Sequence, residues 1–214
     1  MNYRVNIGCG RTPTEGWVNF DNTPAIKLAK SPLKRNLAKL FRLLNQPQIE
    51  NIEWLMANTI EFADAQKKIP LPEKSIEVLY TSHMFEHLSR DGAIRFLDEA
   101  KRVLVDGGVI RIVIPDLEKA ISEYNERKNA DEFMETLLLS APPINSLRDK
   151  LWLIFSGYRH HQWMYDGNSL SRLMENRGFR NVTIQRSGET LINNPGNLNL
   201  FEREEESVVV EAMR

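Results

Sequence analysis

The sequence predicts an α/β fold with a doubly wound, mostly parallel sheet of seven strands. Short β-branched runs alternate with helical patterns along the 214 residues, which is typical of strands joined by crossover helices. The run Val109–Ile114 is almost continuously apolar, as expected for a strand buried on both faces. The last two strand-like runs have no helical pattern between them, which favours an antiparallel edge strand. We therefore expect a single domain over residues 1–214.

The individual strands and helices follow from the same patterns. The predicted strands are Tyr3–Ile7, Trp17–Phe20, Thr59–Phe62, Ile76–Thr81, Val109–Ile114, Val182–Gln185 and Val208–Glu211. The predicted helices are Ala93–Leu104, Asp116–Arg127 and Ser169–Asn176. Ala93–Leu104 is the clearest helix, because its apolar residues share one face and Asp106-Gly107-Gly108 ends it. Residues 11–17 are too few for a normal helix after the first strand.

Two segments, 24–50 and 133–167, interrupt the alternation and are interpreted as insertions. The first is basic between Lys27 and Arg42 and has no acidic residue from Ala25 to Asn45. Its apolar residues recur at helical spacing, so that side either packs on the domain or contacts an anionic lipid surface. Contact with nucleic acid is the third and least favoured alternative. The second insertion is helical and aromatic, with Trp152, Phe155, Tyr158, Trp163 and Tyr165.

Composition narrows the function classes further. The 28 basic and 29 acidic residues give a net charge of -1, so nucleic acid is an unlikely partner. The single cysteine, Cys9, excludes an internal disulfide and a cysteine-based zinc cluster. The longest apolar run, Leu151–Phe155, is far shorter than a membrane span, and no secretory signal is recognisable. We expect a cytoplasmic protein, and composition leaves its oligomeric state open.

A glycine-rich turn follows the first strand. Asn6-Ile7-Gly8-Cys9-Gly10 is suited to a close approach between backbone and ligand, and Asp21 ends the second strand. A dinucleotide-binding turn would have a third glycine where this chain has Pro13. Its acidic residue would also lie about 20 residues further on, whereas Asp21 lies 11 residues after Gly10. The pattern therefore favours a nucleotide-like ligand other than a dinucleotide.

Several stretches, taken together, are similar to one enzyme family. They are Val5–Gly10, Asp64 with Leu71-Pro72, Glu86-His87-Leu88, and Arg102-Val103-Leu104 with Gly107-Gly108. The chain resembles the type-11 branch of class I S-adenosylmethionine-dependent methyltransferases over roughly residues 3–121 and 160–213. The resemblance implies a Rossmann-like sheet, S-adenosylmethionine as cofactor, and methyl transfer to a small-molecule or sugar/glycolipid acceptor.

The resemblance also implies which residues hold the cofactor. They are Asn6, Gly8, Cys9, Gly10, Asp21, Asp64, Ala65, Ser82 and His83. The turn from Gly8 would face the methionyl portion, Asp21 would bind the ribose hydroxyls, and Asp64 with the Ala65 N–H would bind adenine. Ser82 and His83 would lie beside the transferable methyl group. Two departures from the family, Asn6 for an acidic residue and Thr12 for a third glycine, support an alternative: a catalytically inactive S-adenosylmethionine-binding module.

The remaining candidate catalytic or metal-binding residues are histidines. His83-Met84-Phe85-Glu86-His87 has the H-x-x-E-H spacing of some zinc hydrolases, which is a second and less favoured alternative. That chemistry requires one helix, whereas His83 falls at the exit of a predicted strand. We expect no metal site and expect the pair Glu86 and His87 to order a loop. His83 and His161 are the candidate catalytic residues, with a neutral His161 as general base near the acceptor.

Overall fold

A seven-stranded sheet forms the centre of the computed structural model, which describes residues 2–41, 44–139 and 160–214. Its strands are β1 Tyr3–Ile7, β2 Val18–Asp21, β3 Ile60–Phe62, β4 Ile76–Ser82, β5 Leu104–Pro115, β6 Arg180–Gln185 and β7 Ser207–Met213. Within the described ranges the helices are α1 Ala25–Ala29, α2 Pro32–Leu40, α3 Gln46–Ala57, α4 Arg90–Val103, α5 Leu117–Arg127, α6 Ala130–Leu137 and α7 Gly167–Asn176. A 3-10 turn spans Phe85–His87.

The strand order is β3-β2-β1-β4-β5-β7-β6. Strands β1 to β5 are parallel, whereas β7 is antiparallel to both β5 and β6. This confirms the predicted α/β sheet and the antiparallel pair at its edge, with the reversed strand one position in from the end. The chain order reverses between β1 and β4, and the carboxyl ends of parallel strands beside such a reversal form a ligand-binding crevice.

One face of the sheet packs against α4 and α7. Phe96, Leu97 and Ala100 of α4 and Leu170 and Met174 of α7 are fully buried against the strands. The α4 helix begins at Arg90, three residues before the predicted start, because the Ser89 side chain accepts from the Gly92 N–H and caps it. Strand β5 likewise begins at Leu104, ahead of the two glycines that we expected to precede it.

The opposite face is covered by a segment without regular secondary structure. Residues 8–17, all described, contain no helix, as the length of this connection predicted. Instead Ile192 and Leu198, from the connection between β6 and β7, pack with Trp17 against Val78 and Tyr80 of β4. The second layer of the fold over β4 is therefore provided by residues 186–206, which we call the covering segment.

A buried ion pair fastens the covering segment to the sheet. Arg111 Nη1 of β5 lies 2.7 Å from Glu211 Oε1 of β7, and both side chains are almost completely buried. Arg111 also donates to the Glu189 carbonyl at 3.0 Å. Glu211 accepts from the Thr190 hydroxyl at 2.6 Å and from the Leu191 N–H at 2.5 Å. These bonds pair the two charges and anchor the start of the covering segment, although the buried Arg111 Nε has no hydrogen-bond partner among the described residues.

The first predicted insertion contains α1 and α2 and connects β2 to β3 through α3. Lys27 lies 3.6 Å from the centre of the Phe62 ring, and Lys30 pairs with Glu61, so these two cations face β3. The α2 helix docks through the buried Ala38. Its apolar residues are exposed: Leu33, Leu37, Leu40 and the adjacent Phe41. The apolar side of the insertion therefore packs on the domain at Ile26 of α1, whereas in α2 the small Ala38 occupies the contact.

Most of the second predicted insertion falls outside the described residues, including Trp152, Phe155 and Tyr158. Its described ends contribute α6 and the residues from 160 onward. Arg90 lies over the rings of Trp163 and Tyr165, 5.3 Å and 5.5 Å from their centres. Among the described helices, none has the length and apolar character needed to cross a membrane.

Candidate functional site

A cavity of about 710 Å³ opens at the carboxyl ends of β1 to β4. Its lining includes Gly8 and Gly10 after β1, Asp21 and Thr23 at β2, Asp64 and Ala65 after β3, and His83, Glu86 and His87 after β4, with His161. An adjoining cavity of about 660 Å³ shares Gly10 and Asp21 with it and is bounded by α1 and α3. The main cavity thus lies beside the reversal of strand order, where such sheets bind ligands.

The turn after β1 requires glycine at its first position. Gly8 has a φ of +71°, and a Cβ placed there would lie 2.5 Å from the Met84 Cγ. Gly10 has a φ of +50° but faces open space. The Gly8 and Cys9 N–H groups both donate to the Phe20 carbonyl, at 2.8 Å and 3.1 Å, which fixes the turn against β2. The bare backbone therefore forms a wall of the cavity.

Asp21 joins the glycine turn to the loop after β2. Its Oδ2 accepts from the Gly10 N–H at 3.0 Å, and its Oδ1 accepts from the Thr23 N–H at 2.7 Å and from the Thr23 hydroxyl. A carboxylate has about four acceptor positions, so these bonds leave capacity for a hydroxyl of a ligand. The carboxylate is therefore held in a fixed orientation at the cavity wall.

Asp64 lines the cavity and has an unsatisfied carboxylate oxygen. Its Oδ2 pairs with Lys67 Nζ at 2.8 Å, whereas its buried Oδ1 has no hydrogen-bond partner among the described residues. A buried acceptor without a donor is unfavourable by about 1–3 kcal/mol. A ligand that brings an N–H or O–H group to this oxygen would remove that penalty.

Asn6 lies outside the cavity lining, unlike the position predicted from the family. Alternation along β1 turns it to the face opposite Val5 and Ile7, and it is 2% exposed there. Its amide group donates to the Thr12 carbonyl at 3.2 Å and to the Thr14 hydroxyl at 3.1 Å. Asn6 therefore fixes the helix-free connection to β2 and does not face the ligand space.

Cys9 and Ser82 also lie outside the lining. The Cys9 side chain packs with Ile26 and Ile60, and this burial raises the pKa of its thiol to about 12. Ser82 is the last residue of β4, and its hydroxyl is buried without a hydrogen-bond partner in the described parts of the chain. Of the predicted cofactor-binding residues, the cavity thus brings together Gly8, Gly10, Asp21, Asp64, Ala65 and His83.

His83 stands at the exit of β4 with a left-handed φ of +48°. Its N–H donates to the Val113 carbonyl at 2.9 Å, and its ring Nε2 lies 2.9 Å from the Ser207 hydroxyl. The guanidinium of Arg203 lies 3.3 Å from Nδ1. Because His83 precedes the 3-10 turn Phe85–His87, the H-x-x-E-H pattern does not lie on a helix. The two histidines of the pattern therefore lack the shared helical face that the zinc-hydrolase alternative requires.

Glu86 links the sequence motif to a distant part of the chain. It is 1% exposed, and neither carboxylate oxygen has a hydrogen-bond partner in the described structure. Its Oε1 lies 3.5 Å from His83 Nδ1 and 3.8 Å from His161 Nε2. The Glu86 carbonyl accepts from the N–H groups of Gln162 and Trp163, at 2.8 Å and 3.2 Å, and thereby holds His161 against the turn.

The surroundings of His161 favour the neutral imidazole. Its side chain is 6% exposed, and this burial lowers the pKa of the ring below its ordinary value, with the nearby Glu86 acting in the opposite direction. A neutral imidazole has a nitrogen lone pair that can accept a proton or bind a ligand. The proximity of Glu86 and His161 is not apparent from the sequence, since 75 positions separate them.

Comparison with known proteins agrees with this architecture. Residues 20–184 match the family model described as a methyltransferase domain, and no curated protein matches the chain. A SAM-dependent methyltransferase from Archaeoglobus fulgidus has a TM-score of 0.52 at 15% identity, over 100% of this chain and 86% of that one. A possible histamine N-methyltransferase from Thermotoga maritima has a TM-score of 0.50 at 16% identity, over 100% and 82%.

A third solved structure is a putative methyltransferase of Haloferax volcanii in complex with the Trm112 methyltransferase activator. It has a TM-score of 0.50 at 10% identity, over 99% of this chain and 82% of that one. At such identities the likeness concerns the fold, which is that of the class I methyltransferases. The chain belongs to the methyltransferase-domain family, whose model matches most of its length. This confirms the predicted enzyme class, a methyltransferase with S-adenosylmethionine as the methyl donor of its family.

Proposed function

We propose that this protein transfers a methyl group from S-adenosylmethionine to a hydroxyl-bearing small molecule or carbohydrate in the main cavity. The observation that supports this best is the buried, unpartnered Oδ1 of Asp64 in the same cavity as Asp21 and the glycine turn. An acceptor oxygen, a fixed carboxylate and a bare backbone wall match the adenine, ribose and methionyl portions of the cofactor. The residues present therefore fit this group.

In this proposal each residue at the cavity wall contacts one part of the cofactor. Asp64 Oδ1 accepts from the adenine amino group beside Ala65, and Asp21 uses its remaining acceptor capacity for a ribose hydroxyl. The backbone from Gly8 to Gly10 leaves room for the methionyl chain. When bound, S-adenosylmethionine supplies a methyl group already activated by its sulfonium. The chain contributes chiefly by positioning and by excluding water.

His83 and His161 are proposed to act on the acceptor side of the cavity. An oxygen acceptor must lose its proton during methyl transfer, and a neutral imidazole suits that task near pH 7. The lowered pKa of His161 supports a neutral ring, and its Nε2 lies on the side of Glu86. His83 is held in one orientation by Ser207 and Arg203, which supports a positioning role beside the methyl group.

Calorimetric titration with S-adenosylhomocysteine tests the cofactor assignment. We expect Asp64→Ala to weaken binding about tenfold to a hundredfold, or roughly 1.5–3 kcal/mol, the loss expected for a hydrogen bond to a charged group. Asp98→Ala is the matched control, because Asp98 is exposed and pairs with Arg177 away from the cavity. Equal affinities of the two folded variants would remove Asp64 from the site.

A measurement of turnover distinguishes an active methyltransferase from the inactive binding module. We expect His161→Ala to lower the release of S-adenosylhomocysteine on a panel of sugars and glycolipids while leaving cofactor affinity nearly unchanged. Cofactor binding without turnover on any acceptor would favour the inactive binding module. A cytoplasmic location stays a prediction from the sequence.

We propose that α2 makes peripheral contact with an anionic lipid surface, which would suit a glycolipid acceptor. Leu33 and Leu40 are 71% and 73% exposed, and Lys34 and Arg35 lie on the same helix, which has no acidic residue. Exposed leucines beside cations are typical of interfacial helices. Sedimentation with phosphatidylglycerol vesicles should fall for Leu33→Ser/Leu40→Ser. Ile121→Ser, at a 44% exposed apolar position of α5, should leave it unchanged. Equal sedimentation of both variants would refute the contact.

A further inference from the structure

Three side chains at the wall of the main cavity could hold a metal ion together. Glu86, His87 and His161 each offer one ligand atom, and these atoms all lie within 4.8 Å of one another. All three line the cavity. Glu86 and His161 are buried and His87 is half-buried, so the group faces the ligand space and is otherwise enclosed by protein.

The Glu86 carboxylate has no hydrogen-bond partner among the described residues. Both of its oxygens are buried without a hydrogen bond, and its nearest basic atoms, His83 Nδ1 and His161 Nε2, lie 3.5 Å and 3.8 Å from Oε1. Burying an ionised carboxylate without a donor or cation is strongly unfavourable. Buried charges in proteins are therefore paired or coordinate metals. A cation between Glu86 and His161 would satisfy this requirement.

His87 is oriented as a metal-binding histidine would be. Its Nδ1 lies 3.1 Å from the His160 carbonyl oxygen. A carbonyl can only accept, so Nδ1 carries the ring hydrogen and Nε2 keeps its lone pair. A hydrogen bond from the second ring nitrogen to a backbone carbonyl is the usual support of a histidine ligand, because it fixes tautomer and orientation. The His87 and His161 ring centres are 5.0 Å apart, so small side-chain rotations would bring both nitrogens to one ion.

We propose that Glu86, His87 and His161 form a site for a divalent transition-metal ion. Two imidazole nitrogens and one carboxylate oxygen suit Zn²⁺, Mn²⁺, Fe²⁺ or Co²⁺ better than Mg²⁺ or Ca²⁺, which prefer oxygen ligands. With three protein ligands the ion keeps open positions, and here they face the cavity. The site differs from the H-x-x-E-H pattern, since His161 replaces His83 as the second histidine.

The role of the ion rests on the proposed function. An acceptor that offers an oxygen atom, such as a sugar hydroxyl, could occupy the open position beside the methyl donor. An ion would also lower the pKa of that hydroxyl. The His161 lone pair cannot bind an ion and accept a proton at once, so in the metal-loaded protein His161 would be a ligand and the hydroxyl, acidified by the ion, would release its proton to water before it takes the methyl group.

Titration with Co²⁺ tests the site without any substrate. The full chain, freed of metal by a chelator and then by buffer exchange, should bind one Co²⁺ per molecule and develop its visible ligand-field absorption. We expect Glu86→Gln, His87→Ala and His161→Ala each to weaken binding at least tenfold. His160→Ala is the matched control: it removes a neighbouring imidazole but keeps the backbone carbonyl that orients His87. Competition by Zn²⁺ should abolish the absorption.

Folding is checked on every sample by circular dichroism, and the cofactor site by S-adenosylhomocysteine affinity. Folded wild-type protein that binds no stoichiometric Co²⁺ would overturn the metal site, as would equal losses in His160→Ala and the three ligand variants. Binding of S-adenosylhomocysteine without Co²⁺ would overturn the metal site alone. Binding of Co²⁺ without S-adenosylhomocysteine would overturn the proposed function and leave the metal site in place.

Discussion

Replacing Gly8 with alanine tests the close contact that shapes one wall of the main cavity. A left-handed residue with a Cβ is less stable by roughly 1–2 kcal/mol, and Gly8 has a φ of +71°. The new Cβ would also lie 2.5 Å and 2.7 Å from the Met84 Cγ and Cβ, where about 3.5–4.0 Å is favourable. Forcing Met84 aside adds about 1–3 kcal/mol. We therefore expect Gly8→Ala to lower the free energy of unfolding by about 2–5 kcal/mol.

Gly10 provides a matched control for the backbone effect. It also has a left-handed φ, +50°, but nothing lies within 4 Å of its added Cβ. Gly10→Ala should thus lower the free energy of unfolding by only about 1–2 kcal/mol in urea titrations followed by tryptophan fluorescence. Met84→Gly, which removes both contacting atoms, should be coupled to Gly8→Ala by about 1–3 kcal/mol and uncoupled from Gly10→Ala. Equal losses for the two glycine variants, with no coupling to Met84, would refute the reasoning.

Three other predictions concern groups that hold the fold. Burial raises the pKa of Cys9 to about 12, so the native protein should not react with Ellman's reagent at about pH 8. The urea-unfolded protein should react and release one equivalent of the coloured thiolate per chain. Fast labelling of the native protein would contradict this prediction. Asp166 caps the start of α7 by accepting from the Ser169 N–H, and this hydrogen bond lowers the pKa of its carboxyl group. Wild type should therefore exceed Asp166→Asn in stability above the ordinary carboxyl pKa of about 3.9 and lose that advantage as the pH falls below it. A pH-independent stability difference in urea titrations would count against the cap. Glu211→Gln leaves the Arg111 charge buried without its counterion and should lower the free energy of unfolding by about 3–5 kcal/mol; a loss below about 1 kcal/mol would show that the pair is dispensable.

Much of the fold could be predicted because local patterns determine it. The bounds of β1 match the predicted strand, and α5 begins one residue after the predicted start. The predicted wall residues Asp21 and Asp64 come directly at or after strand ends, and parallel strands bring their carboxyl ends to one edge. Strand position alone therefore predicts that these two residues lie at the same edge of the sheet.

The orientation of Asn6 could also have been predicted. Val5 and Ile7 are apolar and flank it in β1, so alternation along the strand puts Asn6 on the other face. The way in which α2 docks on the domain was harder to predict from the sequence. Helical spacing identified its apolar side, but docking depends on Ala38, whose small side chain lets the helix approach the domain. Contacts of this kind depend on tertiary shape, for which the sequence has no periodic signal.

The contact between Glu86 and His161 could not be predicted for a different reason. It depends on two backbone hydrogen bonds, from Gln162 and Trp163 to the Glu86 carbonyl. Backbone groups are the same in every residue, so no side-chain pattern indicates which carbonyl accepts. The sequence showed two separate polar clusters, and only the tertiary structure joins them into one wall.

The covering segment connects the unusual fold to the site. Without a helix between β1 and β2, the apolar side chains of Val78 and Tyr80 need another cover, and residues 186–206 provide it through Ile192 and Leu198. The same stretch of chain then leads to Arg203 and Ser207, which contact the ring of His83. Since His83 holds an unfavourable left-handed backbone, its orientation depends on these contacts. The element that replaces the missing helix therefore also fixes a histidine of the proposed methyl-transfer site.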